Sequence, residues 1–509
     1  MSMEKKTGRP ENINKKSKNE KVSNNLKHSA GAQTSKLCPV ANKCGGCQWI
    51  DKEYEEQLRM KETRFRKLME PYCRPERIIG MENPLHYRNK VHAVFGEDRR
   101  HNIISGIYEE KSHRIVPVDS CMIENSKADE IIVSVRQLLK SFKIRPYNED
   151  TGYGLLRHVL IRTGYATGQI MVVLVLASPV FPSKNNFVKA LLKLHPEITT
   201  IVLNVNNRST SMVLGDKEQV IYGKGFIEDK LCEKTFRISP KSFYQVNPVQ
   251  AEKLYQKAIE YACLTGKETV VDAYCGTGTI GIVAASGANK VIGVELNSDA
   301  VRDAVFNAKF NKVKNIEFYQ NDAGKFLTGL AKQNVHVDVV IMDPPRSGST
   351  EEFLTSVVEV GADRVVYVSC NTDTMVRDLK FLKGKGYEVR KCVAVDMFPF
   401  TEHVETVVLL SKGVVDKDNF RKVKVDFSLE DMDLTELRGK ATYAQVKEYI
   451  LNEFGLKVSS LYIAQVKKKC GLEVGENYNL PKAEDAKQPQ VTPEKEEAIM
   501  KAFRHFGVI

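Results

Sequence analysis

The stretch VVDAYCGTGTIGIVAA, residues 270–285, decides the fold of this chain. A short β-branched run ends at Asp272, the glycines Gly276 and Gly278 follow, and an apolar run with helical spacing begins at Thr279. Strand, tight glycine turn, then helix is how a parallel α/β sheet brings backbone close to a bound nucleotide. Outward from it the pattern repeats. Val291 to Val294, Val337 to Met342, Val365 to Val368 and Val407 to Leu410 are apolar runs short enough for buried strands, so residues 236–412 are expected to form a doubly wound parallel sheet.

The strand tips carry the chemistry. Glu295 closes the VIGVEL run, where a carboxylate can accept both ribose hydroxyl protons, and Asp322 stands at the next strand end, where adenosyl methyltransferases bind the adenine amino group. NAD is the rival for a glycine turn of this kind. The run VVIMDPPR counts against it, because Asp343-Pro344-Pro345 at a strand tip suits a border between a methyl donor and a target base. Further on, VVYVSC brings Cys370 to the open edge of the sheet, and His403 and Glu405 precede the last apolar run.

A cysteine and a carboxylate facing one donor site suit methylation of an unactivated pyrimidine carbon. Carbon 5 of uracil is too poor a nucleophile to take a methyl group unaided. Thiolate addition at carbon 6 makes it an enolate, and a base must then remove the hydrogen on carbon 5 so that the thiol can leave. Phe243 and Phe398 are aromatic candidates for stacking on such a base, with core packing the plainer reading of both.

Upstream, CPVANKCGGCQW holds Cys38, Cys44 and Cys47, and Cys121 follows VPVDSC. Four soft ligands suit an iron–sulfur cluster or a zinc ion, and Gly45 and Gly46 let the backbone turn tightly around either. Trp49 reads as packing, as does Cys275 in the glycine turn. Cys73, Cys232, Cys263, Cys392 and Cys470 have no partner motif and read as small buried apolar residues.

The chain has 509 residues, 42% hydrophobic and 28% charged, which excludes a wholly disordered, collagen-like or coiled-coil protein. Its net charge of +12 points to a polyanionic partner. Residues 1–36 hold nine lysines and arginines among Asn, Ser and Gly, and are expected to be a disordered arm that contacts RNA or merely solubilises. Residues 37–235 read as the cysteine segment plus a central α/β region, with strands at Val91 to Phe95, Val159 to Ile161 and Ile170 to Leu176 and a helix from Lys127 to Phe142. Residues 413–428 read as a linker and 429–509 as a small, mainly helical appendage. The first residues lack a signal-peptide pattern and the longest apolar run, Ile170 to Phe181, is too short to span a bilayer, so a cytoplasmic protein without membrane contact is expected.

Taken in order, CPVANKCGGC, SFYQVNP, DAYCGTGT, VELN, MDPPR, VSCNTDT and FPFTEHVE resemble the RNA (uracil-5-)-methyltransferase family, RumA/TrmA type, over roughly residues 37–412. The resemblance implies a Rossmann-like S-adenosylmethionine methyltransferase domain in the C-terminal half, preceded by an α+β iron–sulfur and central domain. It implies that Gln245, Tyr274, Thr279, Glu295, Asp322 and Asp343 contact S-adenosylmethionine, that Cys370 is the nucleophile and Glu405 the base. It also implies that Cys38, Cys44, Cys47 and Cys121 hold a [4Fe-4S] cluster. The tRNA-modifying branch of the family typically lacks that cluster and the 23S rRNA branch typically has it, so 23S rRNA is the expected substrate, with tRNA second and no protein partner for a monomer. Many relatives begin with a small β-barrel, where this sequence has only the lysine-rich arm, and the appendage lies outside the shared core. The competing readings are an adenine amino-group methyltransferase and a non-catalytic RNA-binding or assembly factor.

Overall fold

The computed structural model describes residues 38–110, 112–208, 212–413, 443–470 and 491–506. The expected arm over 1–36 and the expected linker beyond residue 413 lie outside the described residues.

In chain order, α1 (Ala41–Cys44) and α2 (Tyr54–Met69) lead into β1 (Lys90–Glu97), β2 (Ile103–Tyr108), β3 (Ile115–Pro117), α3 (Ser126–Ser141), β4 (Leu156–Thr163), β5 (Ile170–Leu176), α4 (Lys184–Leu194), β6 (Ile198–Val205) and β7 (Lys217–Tyr222). These strands form one sheet in the order β3-β2-β1-β4-β5-β6-β7, in which β5 and β6 are parallel and every other pair antiparallel. The unbroken apolar run of β5 has a direct cause: Ile170, Val172, Leu174 and Leu176 face one core with α3 and α4, while Met171, Val173 and Val175 face another. A strand covered on both faces has no solvent side to mark with polar residues.

That second core is shared with the rest of the chain. The hairpin β8 (Ile227–Leu231) and β9 (Lys234–Ile238) and helix α5 (Pro248–Ala262) pack between the two large sheets. Then follow β10 (Thr269–Ala273), α6 (Thr279–Ala284), β11 (Lys290–Glu295), α7 (Ser298–Phe310), β12 (Ile316–Gln320), α8 (Ala323–Lys332), β13 (Val339–Met342), α9 (Glu351–Glu359), β14 (Arg364–Ser369), α10 (Thr372–Gly384), β15 (Tyr387–Val395) and β16 (Glu405–Lys412). The sheet order is β12-β11-β10-β13-β14-β16-β15.

The five strands from β10 to β14 are parallel, as expected, but β16 runs antiparallel to both β14 and β15. The expectation of an all-parallel sheet is therefore corrected: the loop 396–404 turns the chain straight back, with no helix to carry it across the sheet. A strand ending before Asp322 was expected without bounds and is β12, whereas β15 was not expected. IEFYQ is half solvent-facing, and β15 exposes Glu388 and Lys391 and carries an irregularity between Val389 and Lys391, which hides its period.

The described part of the appendage is α11 (Tyr443–Phe454), α12 (Ser460–Lys469) and α13 (Pro493–His505), around a core of its own that includes Val446, Ile450, Ile463, Val466, Ile499 and Phe503. No helix among the described residues is long and apolar enough to cross a membrane.

Candidate active site

The glycine turn after β10 is built from backbone that few residues adopt. Tyr274, Gly276 and Gly278 all have positive φ (62°, 54° and 79°), and a Cβ on Gly278 would meet the Phe318 ring at 2.7 Å. Asp272 lies under the turn and accepts from the Gly281 amide at 2.7 Å. Glu295, at the tip of β11, accepts from the Gly276 amide at 3.1 Å and the Asn297 amide at 2.8 Å, so one carboxylate braces two loops. Asp322 caps α8 by accepting from the Lys325 amide at 3.0 Å and stays exposed at the same edge.

Behind the turn lies a buried phenol that sequence reasoning missed. The Tyr255 hydroxyl bonds the Thr279 hydroxyl at 3.4 Å and also the Gln245 side chain, and burial raises its proton affinity, with Asp343 and Asp272 adding. Three residues expected at the donor site, Gln245, Thr279 and Asp343, thus converge on one group. Tyr274 packs on Phe353, ring centroids 5.0 Å apart. Tyr255 sits mid-helix in an apolar stripe, a pattern that reads as core.

Cys370 leaves β14 and Glu405 opens β16, its neighbour in the sheet. Burial pushes the Cys370 thiol up to about 11, with the Glu405 and Asp343 carboxylates adding and Arg346 opposing. Glu405 is 4% exposed and its carboxyl is raised well above the usual range by burial, then by Asp343. Burial lifts Asp343 and Asp272 to about 7 each. The donor side of the site is therefore a concentration of carboxyl groups that hold protons more tightly than free ones.

The opposite side carries charges of both signs, with Arg64 paired to Asp373 and Glu402. A cavity of about 240 Å³ is lined by Cys370, His403, Arg346 and Val404 together with Lys61 and Arg64 from α2. Those two were not expected. For Lys61 the signal was present: Gln57, Lys61, Phe65 and Met69 recur every four residues on the buried stripe of α2, so its polar members had to be anchors, whereas Arg64 lies off that stripe and is exposed. Phe243 is 67% exposed, which overturns the core-packing reading for it, whereas Phe398 does pack against the core.

Of the four expected metal ligands, Cys38, Cys44 and Cys47 lie within electrostatic reach of one another, and Cys47 and Cys121 pack around the same Tyr87, Ile123 and Phe400 cluster. Burial pushes Cys47 up to about 12, with Cys44 and Cys38 adding; it does the same to Cys121, with Glu124 adding. Among the described residues no three of these sulfurs stand within 4.8 Å of each other. A tetrahedral zinc thiolate site needs sulfurs roughly 3.8 Å apart.

The reading of the remaining cysteines is corrected in two places. Cys263 is exposed, and Cys73 and Cys392 are not separate apolar fillers: their sulfurs lie 2.8 Å apart. Cys275 is buried in the turn, as expected of a packing residue.

Residues 53–413 match the family model described as tRNA (uracil-5-)-methyltransferase. An uncharacterized RNA methyltransferase of Halalkalibacterium halodurans is 43% identical over 378 residues, covering 73% of this chain and 82% of that protein. One from Clostridium acetobutylicum is 43% identical over 392 residues, covering 76% and 85%. Among solved structures, the Pyrococcus abyssi tRNA (uracil-54, C5)-methyltransferase in complex with S-adenosyl-L-homocysteine aligns with a TM-score of 0.61 and 29% identity over 72% of this chain and 85% of that one.

Proposed function

The chain belongs to the tRNA (uracil-5-)-methyltransferase family, and on that premise we propose that this S-adenosylmethionine-dependent RNA methyltransferase acts on carbon 5 of a uridine in 23S rRNA, through a covalent adduct on Cys370. One observation carries the reading: a half-buried thiol and a buried carboxyl leave adjacent strands beside the donor turn, within electrostatic reach of each other. An amino-group methyltransferase would have no use for that pair.

In this mechanism the half-buried Cys370 loses its proton to solvent and the thiolate adds to carbon 6, making carbon 5 a nucleophile. Bound S-adenosylmethionine supplies an electrophilic methyl group on a positively charged sulfur. Asp343 and Asp272, whose burial disfavours their charged forms, would ionise more readily beside that cation. Gln245, Tyr274, Thr279, Glu295, Asp322 and Asp343 are the proposed donor contacts. Glu405, which burial makes a stronger base than a free carboxylate, then takes the proton from carbon 5 in its ionised form, and the electron pair left behind expels the Cys370 thiolate. The exposed Phe243 ring is free to stack on a base turned out of its strand, and Arg64 and Arg346 suit the flanking phosphates.

The cysteine set fits a [4Fe-4S] cluster better than zinc. The donors are four thiols, and among the described residues no three of them are gathered closely enough for a single tetrahedral ion. Bound iron would supply the positive charge that these buried thiols lack. Cys38, Cys44, Cys47 and Cys121 would hold it, and the family resemblance ties that set to ribosomal RNA. The likeness to the Pyrococcus abyssi tRNA (uracil-54, C5)-methyltransferase favours tRNA as the second reading.

Labelled methyl transfer from S-adenosylmethionine to 23S rRNA and tRNA transcripts in parallel, with nucleoside analysis, tests both. 5-Methyluridine in ribosomal RNA alone supports the main reading, and in tRNA alone it moves the substrate. Methyladenosine would replace the chemistry, and no label in either RNA would favour a non-catalytic RNA-binding role.

A further inference from the structure

The loop 396–404, which joins β15 to β16 and delivers His403 and Glu405, is held from outside along its backbone. The Asp396 carbonyl accepts from the Gln250 amide at 3.0 Å and the Met397 carbonyl from the Asn247 amide at 3.0 Å. The Phe398 carbonyl accepts from Lys61 Nζ at 3.1 Å, and the Pro399 carbonyl from the Tyr87 hydroxyl at 3.2 Å. The Phe400 carbonyl accepts from the Trp49 amide at 3.0 Å, and the Phe400 amide donates to Gln57 Oε1 at 2.8 Å. Phe400 itself has φ 67°, a strained backbone for a bulky residue that lasts only where its surroundings over-determine it.

At the centre is an ion pair with no solvent contact. Lys61 Nζ lies 2.6 Å from Asp396 Oδ1, both side chains 0% exposed, and the Tyr54 hydroxyl donates to Asp396 Oδ2 at 2.8 Å. Apolar residues of like volume would hold a helix to a loop as well as a desolvated pair does; what the pair adds is one allowed placement. That placement bears on the catalytic partner that the loop runs into. Cys370 follows β14, next to Asn371, which caps α10 and donates to the Arg346 carbonyl at 3.0 Å; Glu405 is the first residue of β16, opposite Val395, and the loop that Lys61 holds leads directly into it.

We propose that Lys61 is a positioning residue for the proton-removal step, acting through Asp396 and the Phe398 carbonyl to set the approach of Glu405 to carbon 5 of a base already bonded to Cys370. The inference rests on the function proposed above. When the approach is loose, the carbon 6–sulfur bond and the new methyl group still form, but the carbon 5 proton leaves slowly and the enzyme stays bonded to its RNA.

The full-length protein is compared with Lys61→Met, with the double variant Lys61→Met/Asp396→Asn, which leaves no unpaired buried charge, and with Tyr54→Phe. Donor affinity, 5-methyluridine released and the fraction of RNA surviving denaturing gels as a protein adduct are measured together. The expected result for the double variant is donor affinity within about threefold of wild type, product formation down about 10–100-fold and a several-fold larger adduct fraction. Tyr54→Phe shows the same pattern, smaller. Donor affinity and turnover falling together without adduct accumulation, or unchanged turnover in the double variant, overturns the proposal. Wild type that makes no 5-methyluridine overturns the underlying reaction instead, and is read before any variant.

Discussion

Cys370 and Glu405 stand one residue outside the same cross-strand pair, Ser369 opposite Thr406, in the antiparallel ladder between β14 and β16. The Thr406 hydroxyl also donates to the Ser369 carbonyl at 3.1 Å, tying the two strand ends together. The ladder therefore sets how far apart the backbones of the proposed nucleophile and base stand.

Cys370→Ala should abolish methyl transfer, by at least about 10³-fold, because no other thiol shares the cavity, while donor affinity changes by less than about threefold. Labelled transfer alongside equilibrium binding of S-adenosylmethionine checks both. Retained transfer would exclude the covalent route.

Asp272 holds a proton in the folded protein up to about pH 7, first because it is buried and then because Asp343 and Glu295 lie nearby. An unfolded aspartate releases its proton near pH ~3.9. The stability this group contributes is complete below about pH 4 and is lost as pH rises through about 7. Donor-free protein should thus melt at lower temperature at about pH 8 than at about pH 5. Asp272→Asn, which keeps an acceptor for Gly281, should flatten that slope by roughly 1–4 kcal/mol. Equal slopes in the two proteins would refute the assignment.

Anaerobically purified wild type should carry about four iron atoms per chain, and Cys44→Ser should lose them and weaken RNA binding before donor binding. Iron and sulfide analysis with paired RNA and donor titrations measures this. Unchanged iron content would remove Cys44 from the ligand set.

Deleting residues 1–36 removes nine cationic side chains. If they neutralise phosphates, the slope of log affinity against log salt becomes shallower by at least about 2. The same slope in both proteins would leave that segment a solubilising tail.

The strand tips were legible because a parallel sheet announces them: β-branched runs stop where Asp272, Glu295 and Asp343 begin. Cys370 and Glu405 were legible for the same reason. What escaped was whatever depends on two distant segments meeting. Lys61 looks like any helical lysine until Asp396, 335 residues away, is placed against it, and Cys73 looks isolated until Cys392 arrives from β15. Tyr255 was hidden differently, because the hydroxyl that organises Gln245 and Thr279 belongs to a residue whose ring is ordinary core.

The Lys61–Asp396 contact also sets an order of events during synthesis. Helix α2 is made early, but the carboxylate that neutralises its buried lysine is translated 335 residues later, roughly 20–70 seconds at ordinary rates of synthesis. Throughout that interval Gln57 and Lys61 have no loop to hold, so the N-terminal segment must wait in water, or on a chaperone, while the central sheet folds ahead of it. A chain that stalls before β16 would carry a finished donor turn and an unclosed active site, in a form that proteases can recognise.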